Sequence, residues 1–518
     1  MNPFEQLLAT IAPRMALRRQ AARLQLDQMR RYDAAARGRR TDNWVTQGSS
    51  ADAANARGFG VMRDRARDLV RNNPYARKAV ESWVTNLIGA GWSFKAKQSR
   101  RNGRQGERVT EVMRAWMADP RQCDYHGLLN FDGLMAQVVR CWKESGEVLI
   151  RARTPSAATI HRLGLTIPLQ LQVMEGDWID ENHDTPGTTA GAGWTKRGIV
   201  YDSEGRREAF WIYNYHPGES AVQATTIVSN TVPAGEIIHL FTPERPGMTR
   251  GVSCLAPVMV RLKDLGDLLD ARLMKEKVAA CLAAAVVDLD GTSDQKSTIG
   301  DRIEPGGIVR LGPGQDIRTI NPPAAGEIDR VIKTYLLEIA AGIGITYEEL
   351  TGDYSGGSFA QGRMGWIGFQ RRLMSDTWQV LEPMVFDRVA EWAFNAMSAV
   401  GIATDGITAD WTPPRRELYD PQSETSSTVS RMRAGLLPPQ EAIRADGYEP
   451  DEVIRLWVEW MAMLDAAGIV LDSDPRKVSL AGLTQVRPLG STMPPTGEPP
   501  AEAEQPPAPA APRTPPAG

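Results

Sequence analysis

Five histidines are the first candidates for catalysis or metal binding: His126, His161, His183, His216 and His239. No two stand at the short spacing by which a helix or turn aims two imidazoles at one ion. His239 lies in the apolar run IIHLF, where a structural histidine with satisfied hydrogen bonds is expected. Ser355 in GDYSGGS has some of the setting of a nucleophile elbow. The residue two before it is Asp353, not glycine, and the pattern predicts no strand ahead of it, so the strained strand-to-helix turn is missing. Asp288-Leu289-Asp290-Gly291 faintly suggests a calcium loop. Its glycine comes too early, and position 12 is Ile299 where a bidentate glutamate belongs. No GxxxxGK[ST] phosphate loop occurs. The reading is therefore no catalytic residue, no metal and no cofactor: not an enzyme.

Bulk properties narrow the partners. The chain has 518 residues, 42% hydrophobic and 24% charged, with a formal net charge of -3. That length allows roughly three domains. Wrapping a nucleic acid tightly would need many Lys and Arg contacts to phosphate, which this balance does not favour. Cys123, Cys141, Cys254 and Cys281 form no CxxC pair and border apolar segments, so they are expected to act as small hydrophobes in a reducing compartment. The most apolar run, Val278 to Val287, is half of the ~20 residues a membrane span requires, and no membrane partner is expected. The first 60 residues lack a secretory pattern and carry many arginines, among them Arg14, Arg18, Arg19, Arg23 and Arg30. They are read as a basic arm.

These residues must be held by regular elements, and the patterning predicts them. Helices are expected over Val61–Arg71, Tyr75–Ile88, Glu107–Ala118 and Phe131–Lys143, with Pro74 suited to a first turn and Gly89 to an end. Between Val148 and Phe241 the pattern turns to strands: VLIRAR, LQLQVM, GIVYD, AFWIYNY, TTIVS and EIIHLF, with a hairpin turn at Asp202–Gly205. From Val258 to Val287, helical spacing of Met259, Leu262, Leu265, Leu269 and Leu273 predicts a helix about 45 Å long. Lys263–Asp267 and Arg272–Glu276 are i,i+4 pairs on its wet face. Ile308–Leu311 and Asp316–Ile320 flank Gly312-Pro313-Gly314 as a hairpin. A second helix carries Ile328, Val331, Ile332, Tyr335, Leu336 and Ile339 on one face. Five glycines in GDYSGGSFAQGRMG, Gly352 to Gly365, predict a mobile or sharply turned loop. A long third helix follows, with Pro383 inside it and a kink expected there. A smaller helical region lies beyond Pro414. The last residues, 487–518, are rich in Pro and Ala and are read as disordered.

The order helix, β insert, helix, glycine loop, kinked helix resembles the portal proteins of tailed bacteriophages. Local motifs are similar to the lambda-type family from about residue 30 to 455. They include RDRARDLVRNNPYARKAV, NLIGAGW, VMEGDWID, GIVYDSEGRREAFWIY, ERPGMTRGVSCLAPVMVRLKDL, AAGIGITYEELTGDYSGGSF and RAGLLPPQEAIRADGYEPDEV. The resemblance implies an α+β portal fold: an α/β wing, a two-helix stem, a small β-containing clip, a long kinked spine helix and a helical C-terminal crown, assembled as a ring oligomer. It assigns 1–60 to a basic arm, 61–257 to the wing (148–241 mainly β), 258–287 and 325–345 to the stem helices and 288–324 to the clip. It assigns 346–365 to the tunnel loop, 366–410 to the spine and 411–486 to the crown.

The same resemblance assigns residues. Gly352, Asp353, Tyr354, Ser355, Gly356, Gly357, Ser358, Phe359, Gln361 and Arg363 would face DNA in the channel. Leu262, Asp264, Leu265, Leu269, Arg272, Lys275, Lys277, Ile328, Val331 and Tyr335 would build the stem. Ile308, Arg310, Leu311, Gln315 and Ile317 would build the clip, and Pro383 the spine kink. Implied partners are further copies of the chain in a ring, dodecameric in the family, and double-stranded DNA passing through it. The terminase large subunit, the major capsid and scaffold proteins, and head-tail adaptor or tail proteins complete the set. The implied place is the portal vertex of the virion, assembled in the host bacterial cytoplasm. The alternatives are another head structural protein or a DNA-packaging enzyme.

Overall fold

The computed structural model describes residues 48–56, 58–98, 103–186, 193–221, 226–281, 285–288, 315–318 and 326–469, plus isolated positions before residue 48 and at 471. More than half of the basic arm lies outside the described residues, as does the whole of the Pro/Ala-rich tail. Two compact units divide the chain, Met1–Tyr448 and Glu449–Gly518.

In the first unit the early helices form where the pattern places them. α1 is Phe59–Asn72 and α2 is Pro74–Leu87. Asn73 separates them: its Oδ1 accepts from Tyr75 N at 3.0 Å and Ala76 N at 3.1 Å, with Pro74 behind it in the first turn. After β1 (Ser93–Gln98) come α3 (Gly103–Ala118) and α4 (Phe131–Ser145), the latter capped by Asn130 Oδ1 on Gly133 N at 2.9 Å.

β2 (Glu147–Arg153) then enters between two cores. Successive side chains of a strand face opposite ways: Val148 and Ile150 join the main core, whereas Leu149 joins a second one with Ile199, Phe210 and Val232. A short helix α5 (Ala157–Leu163), unforeseen from the sequence, leads to β3 (Gln170–Glu175). Strands β4 (Trp194–Lys196), β5 (Ile199–Tyr201), β6 (Arg207–Tyr213) and β7 (Ser229–Pro233) make one antiparallel sheet, in that order. β8 (Ile237–Phe241) returns to flank β2 opposite β3. Asp202 makes the expected hairpin turn, its Oδ1 accepting from Glu204 N and Arg206 N at 2.9 and 2.8 Å. The strand expected at TTIVS is displaced to Ser229–Pro233. Asn214 is the reason: its amide holds Val228 N and Thr226 O, both at 2.9 Å, and ties that stretch into a loop.

Next come α6 (Met259–Cys281), β9 (Ala285–Asp288), β10 (Gln315–Arg318) and α7 (Gly326–Ile343). The helix expected to reach Val287 therefore stops earlier. Ala285–Asp288 pairs antiparallel with Gln315–Arg318, so β-branched Val286 and Val287 go to a strand with a partner distant in sequence. The expected partner segment, Ile308–Leu311, lies outside the described residues. α8 (Tyr347–Thr351), α9 (Phe359–Asp376), a π-wound segment (Thr377–Phe386) and α10 (Asp387–Ala399) follow. β11 (Ile407–Thr412) closes the unit by pairing antiparallel with β1, Trp411 opposite Phe94. Trp92 stacks on Phe386 at 4.1 Å and Phe131 on Trp411 at 5.9 Å, locking sequence-distant pieces into one core. α11 (Pro421–Arg433) and α12 (Pro439–Ala445) complete it. The second unit contains α13 (Pro450–Ala467).

Candidate functional site

α6 and α7 run antiparallel, because two ion pairs bridge them in opposite sequence order. Arg261 Nε lies 3.5 Å from Glu338, and Arg272 Nη1 lies 2.5 Å from Asp329. Arg272 thus reaches across to α7 and not to Glu276. Tyr335 packs under the Arg261 guanidinium at 5.6 Å. Where the pair meets the core, Leu262, Leu265, Leu336 and Ile339 are buried. Farther out the pair is uncovered. Leu269, Arg272, Lys275 and Ile328 are half-buried, Asp264 and Lys277 exposed, and Leu273, Met274 and Val331 are 51%, 60% and 46% exposed. Beyond α6 and before α7 lies the β9–β10 pair, where Gln315 faces Asp288 and Ile317 faces Val286. Ile308, Arg310 and Leu311 lie outside the described residues.

The glycine-rich segment is shorter as a loop than its composition predicts. Thr346 caps α8 (Oγ1 from Glu349 N, 3.1 Å), and Gly352 ends it in the left-handed region at φ 70°. Asp353 then organises the turn. Its Oδ1 accepts from Ser355 N at 3.0 Å and its Oδ2 from Tyr347 Oη at 3.2 Å. Tyr354, Ser355, Gly356 and Gly357 are exposed, Tyr354 by 70%. At Ser358 a capping box begins α9: Gln361 N donates to Ser358 Oγ (3.3 Å) and Ser358 N to Gln361 Oε1 (3.2 Å). Phe359, Gln361 and Arg363, expected in the loop, are therefore helical. The glycines after residue 358 serve packing: a Cβ on Gly362 would stand 2.5 Å from Tyr419 Oη, which also donates to Phe359 O at 3.2 Å.

Pro383 sits in the middle of the ten-residue π segment. Proline supplies no N–H to the Gln379 carbonyl, and an α-helix would leave that group unpaired. The chain changes winding instead, and Asp387 N–H bonds to Glu382 O, five residues back.

The most densely charged part of the interior was not foreseen. Glu147 is buried at the start of β2 and takes Arg250 Nε at 2.9 and 2.8 Å and Arg250 Nη2 at 2.5 Å. His239 Nε2 lies 3.0 Å from it, Arg63 Nη1 3.3 Å and Gly251 N 3.2 Å. Burial works to raise the Glu147 carboxyl, but Arg250 and His239 together hold it well below the usual carboxylate range. Burial lowers His239 to about 4 against the pull of Glu147. His239 is thus a satisfied core residue, as its setting in IIHLF predicts. Arg63 continues the network to Asp177 (3.0 Å) and Arg67 to Asp177 and Glu175 (2.5 and 3.1 Å). The sequence signal was faint: charged residues abutting apolar runs, in GEVLI and TRGVS. Glu175, Asp177 and His216 also converge closely enough to hold a metal ion. Arg67 already supplies the positive charge between the two carboxylates, so the arrangement works as an ion network. Burial raises the thiols of Cys123 and Cys141 to about 12 and Cys254 to about 11, which leaves them un-ionised at neutral pH.

Comparison with known proteins decides what this architecture belongs to. The family described as "Phage portal protein, lambda family" matches residues 37–377. The chain belongs to that family. It is a portal protein of a tailed phage. Similar relatives include the portal protein of Escherichia phage N15, 25% identical over 481 residues (82% of this chain, 88% of the relative), and portal protein B of Escherichia phage lambda, 26% identical over 488 residues (82% and 88%). A probable portal protein of Halomonas phage phiHAP-1 is 22% identical over 463 residues (84% and 86%). A chain of a native gene transfer agent virion is similar at a TM-score of 0.45 and 14% identity, covering 77% of this chain and 98% of that one. The match spans α6, β9–β10, α7 and the turn around Asp353. Among the described residues, no helix is long and apolar enough to cross a membrane.

Proposed function

We propose that copies of this chain close head-to-tail into a ring, twelve by the family's resemblance, around a channel through which double-stranded DNA is packaged, retained and ejected. A heterologous contact that closes by rotation is what such a ring needs. The observation that carries the reading is the α6–α7 pair. Its outer half bears Leu273, Met274 and Val331 exposed, and apolar exposure on two paired helices is what a contact with a neighbouring copy would cover. In this reading α6 and α7 form the stem. The segment between them, including β9–β10, is the clip that meets the terminase large subunit and later the head-tail adaptor or tail. The exposed turn 353–357 faces DNA. The α9–π–α10 run is the spine of a wing that includes residues 61–257, and the major capsid and scaffold proteins surround the ring at one vertex of the virion. The chemistry is mechanical: a near-neutral chain lets DNA slide, because few phosphate contacts brake it.

Electron microscopy of the purified full chain tests this. Rings with an axial hole wider than a DNA duplex are expected, and a stable monomer at micromolar concentration would overturn the reading. ATP turnover or metal-dependent DNA cleavage by the pure chain would favour a packaging enzyme instead.

A further inference from the structure

Among the described residues α6 and α7 form two ion pairs, Arg261–Glu338 and Arg272–Asp329, and both tie the helices to each other. The ties also fix the levels of the antiparallel pair. Between them, at one helical rise per residue, Asp267 lies level with Lys333 and Asp270 with Arg330 to within about one turn. All four are exposed. Helical spacing turns them outward, away from the ties. Asp267 and Asp270 stand on the side of α6 opposite Arg261 and Arg272, and Arg330 and Lys333 stand on the side of α7 opposite Tyr335, which packs under Arg261. Lys333 Nζ lies over the Tyr347 ring at 5.3 Å. Asp267, Asp270 and Arg330 form no ion pair among the described residues.

The helix pair therefore has two outer edges of opposite sign. On α7 the edge carries Arg330, Lys333, Thr334 and Leu337, all exposed, with no carboxylate among them. On α6 Asp267 and Asp270 outnumber the one cation near them, Lys263. Each edge also bears an uncovered apolar side chain, Val260 (70% exposed) on α6 and Leu337 (48%) on α7, again level to within about one turn. A ring generated by rotation about an axis along the pair shifts no residue along that axis, so the surfaces that meet must match level for level, as these two edges do. A two-fold contact between α7 edges would instead set cation against cation. We infer that the α6 edge of each copy meets the α7 edge of the next, Asp267 and Asp270 against Lys333 and Arg330, so that charge sets the direction in which the ring closes. The inference rests on the ring reading above and adds which charges meet between copies.

Reversing the charge of one edge at a time tests it in the full chain. Asp267→Lys with Asp270→Lys makes both edges of a copy basic, and Arg330→Glu with Lys333→Glu makes both acidic. The four side chains are exposed, so each variant is expected to keep an unfolding midpoint near the parent's. Each variant expressed alone is expected to give at least about tenfold fewer rings than the parent in electron micrographs, because like charges then meet at every contact. Co-expressed with different tags, the two are expected to form rings again, with both tags in equal amount after purification on either one, since a basic copy then fits between two acidic ones. Full ring yield from either variant alone would overturn the inference and place those side chains away from the contact. A co-expressed pair without rings would overturn it too, while the parent's rings leave the ring reading standing. A parent without rings would overturn both.

Discussion

Replacing Glu147 by glutamine tests whether the buried ion network is what holds the strand region to α1. The substitution keeps the shape of the side chain and removes its charge. Arg250 is fully buried, and its Nε and Nη2 both rely on Glu147; Nη2 also donates to Gly176 O at 2.8 Å, and Nη1 has only Glu181 at 3.2 Å. Removing one partner of a buried ion pair leaves an uncompensated charge, which costs about 3–5 kcal/mol. Exchanging both partners for apolar groups is often close to neutral. Glu147→Gln should therefore lower the free energy of urea unfolding, followed by tryptophan fluorescence at neutral pH, by about 3–5 kcal/mol. Glu147→Gln combined with Arg250→Met should recover at least about half of that loss. A single variant within about 0.5 kcal/mol of the parent, the range of ordinary surface changes, would refute the reasoning. So would a double variant no better than the single one.

His239 adds a pH signature. Its folded value of about 4 lies below the ordinary 6.5, so the stability it contributes is full above pH 6.5 and is lost as pH falls towards 4. The gap corresponds to about 3 kcal/mol. The unfolding midpoint should fall over that window in the parent and fall much less in His239→Gln; equal slopes would contradict the assignment. Deleting residues 354–357 should leave rings intact and impair DNA packaging or retention in an assembly assay, because Ser358 and Gln361 still start α9; loss of rings would contradict the loop assignment. Ser358→Ala should cost about 1 kcal/mol at that helix start and speed amide exchange at residues 359–362, leaving exchange in α10 unchanged. Leu273→Asp with Val331→Asp should abolish rings in electron micrographs with little change in the chain's unfolding midpoint, and intact rings would show that these side chains do not lie between subunits.

Much of the fold could be read along the chain because its causes are local. Asn73-Pro74 breaks and restarts a helix through one side-chain cap, and Asp202 turns a hairpin through its own carboxylate. The periodicity of Leu262, Leu265 and Leu336 marks the buried faces of α6 and α7. The errors fall where a distant partner decides. Ala285–Asp288 continues an Ala-rich helical pattern, yet a strand 30 residues downstream takes it. Glycine content extended the loop to residue 365, but Tyr419 packs on Gly362 and turns that composition to close helix contact. At Pro383 the α-helical bonding gives way to a π-wound run, with Phe386 packed against Trp92 and Trp411.

The candidate site divides in the same way. The sequence by itself determined the family, the succession of the helices α6, α7 and α9 and the absence of a phosphate-loop motif, since each depends on residue identity and spacing. Only the tertiary structure decided that Glu147, Arg250, His239 and Arg63 share one buried network, and that the loop ends at Ser358. It alone decided that Leu273, Met274 and Val331 on the outer half of α6–α7 stand exposed among the described residues. The physical reason is that burial and charge pairing are properties of what lies across a contact, and the residue on the far side is about a hundred positions away, as Arg250 and His239 are from Glu147.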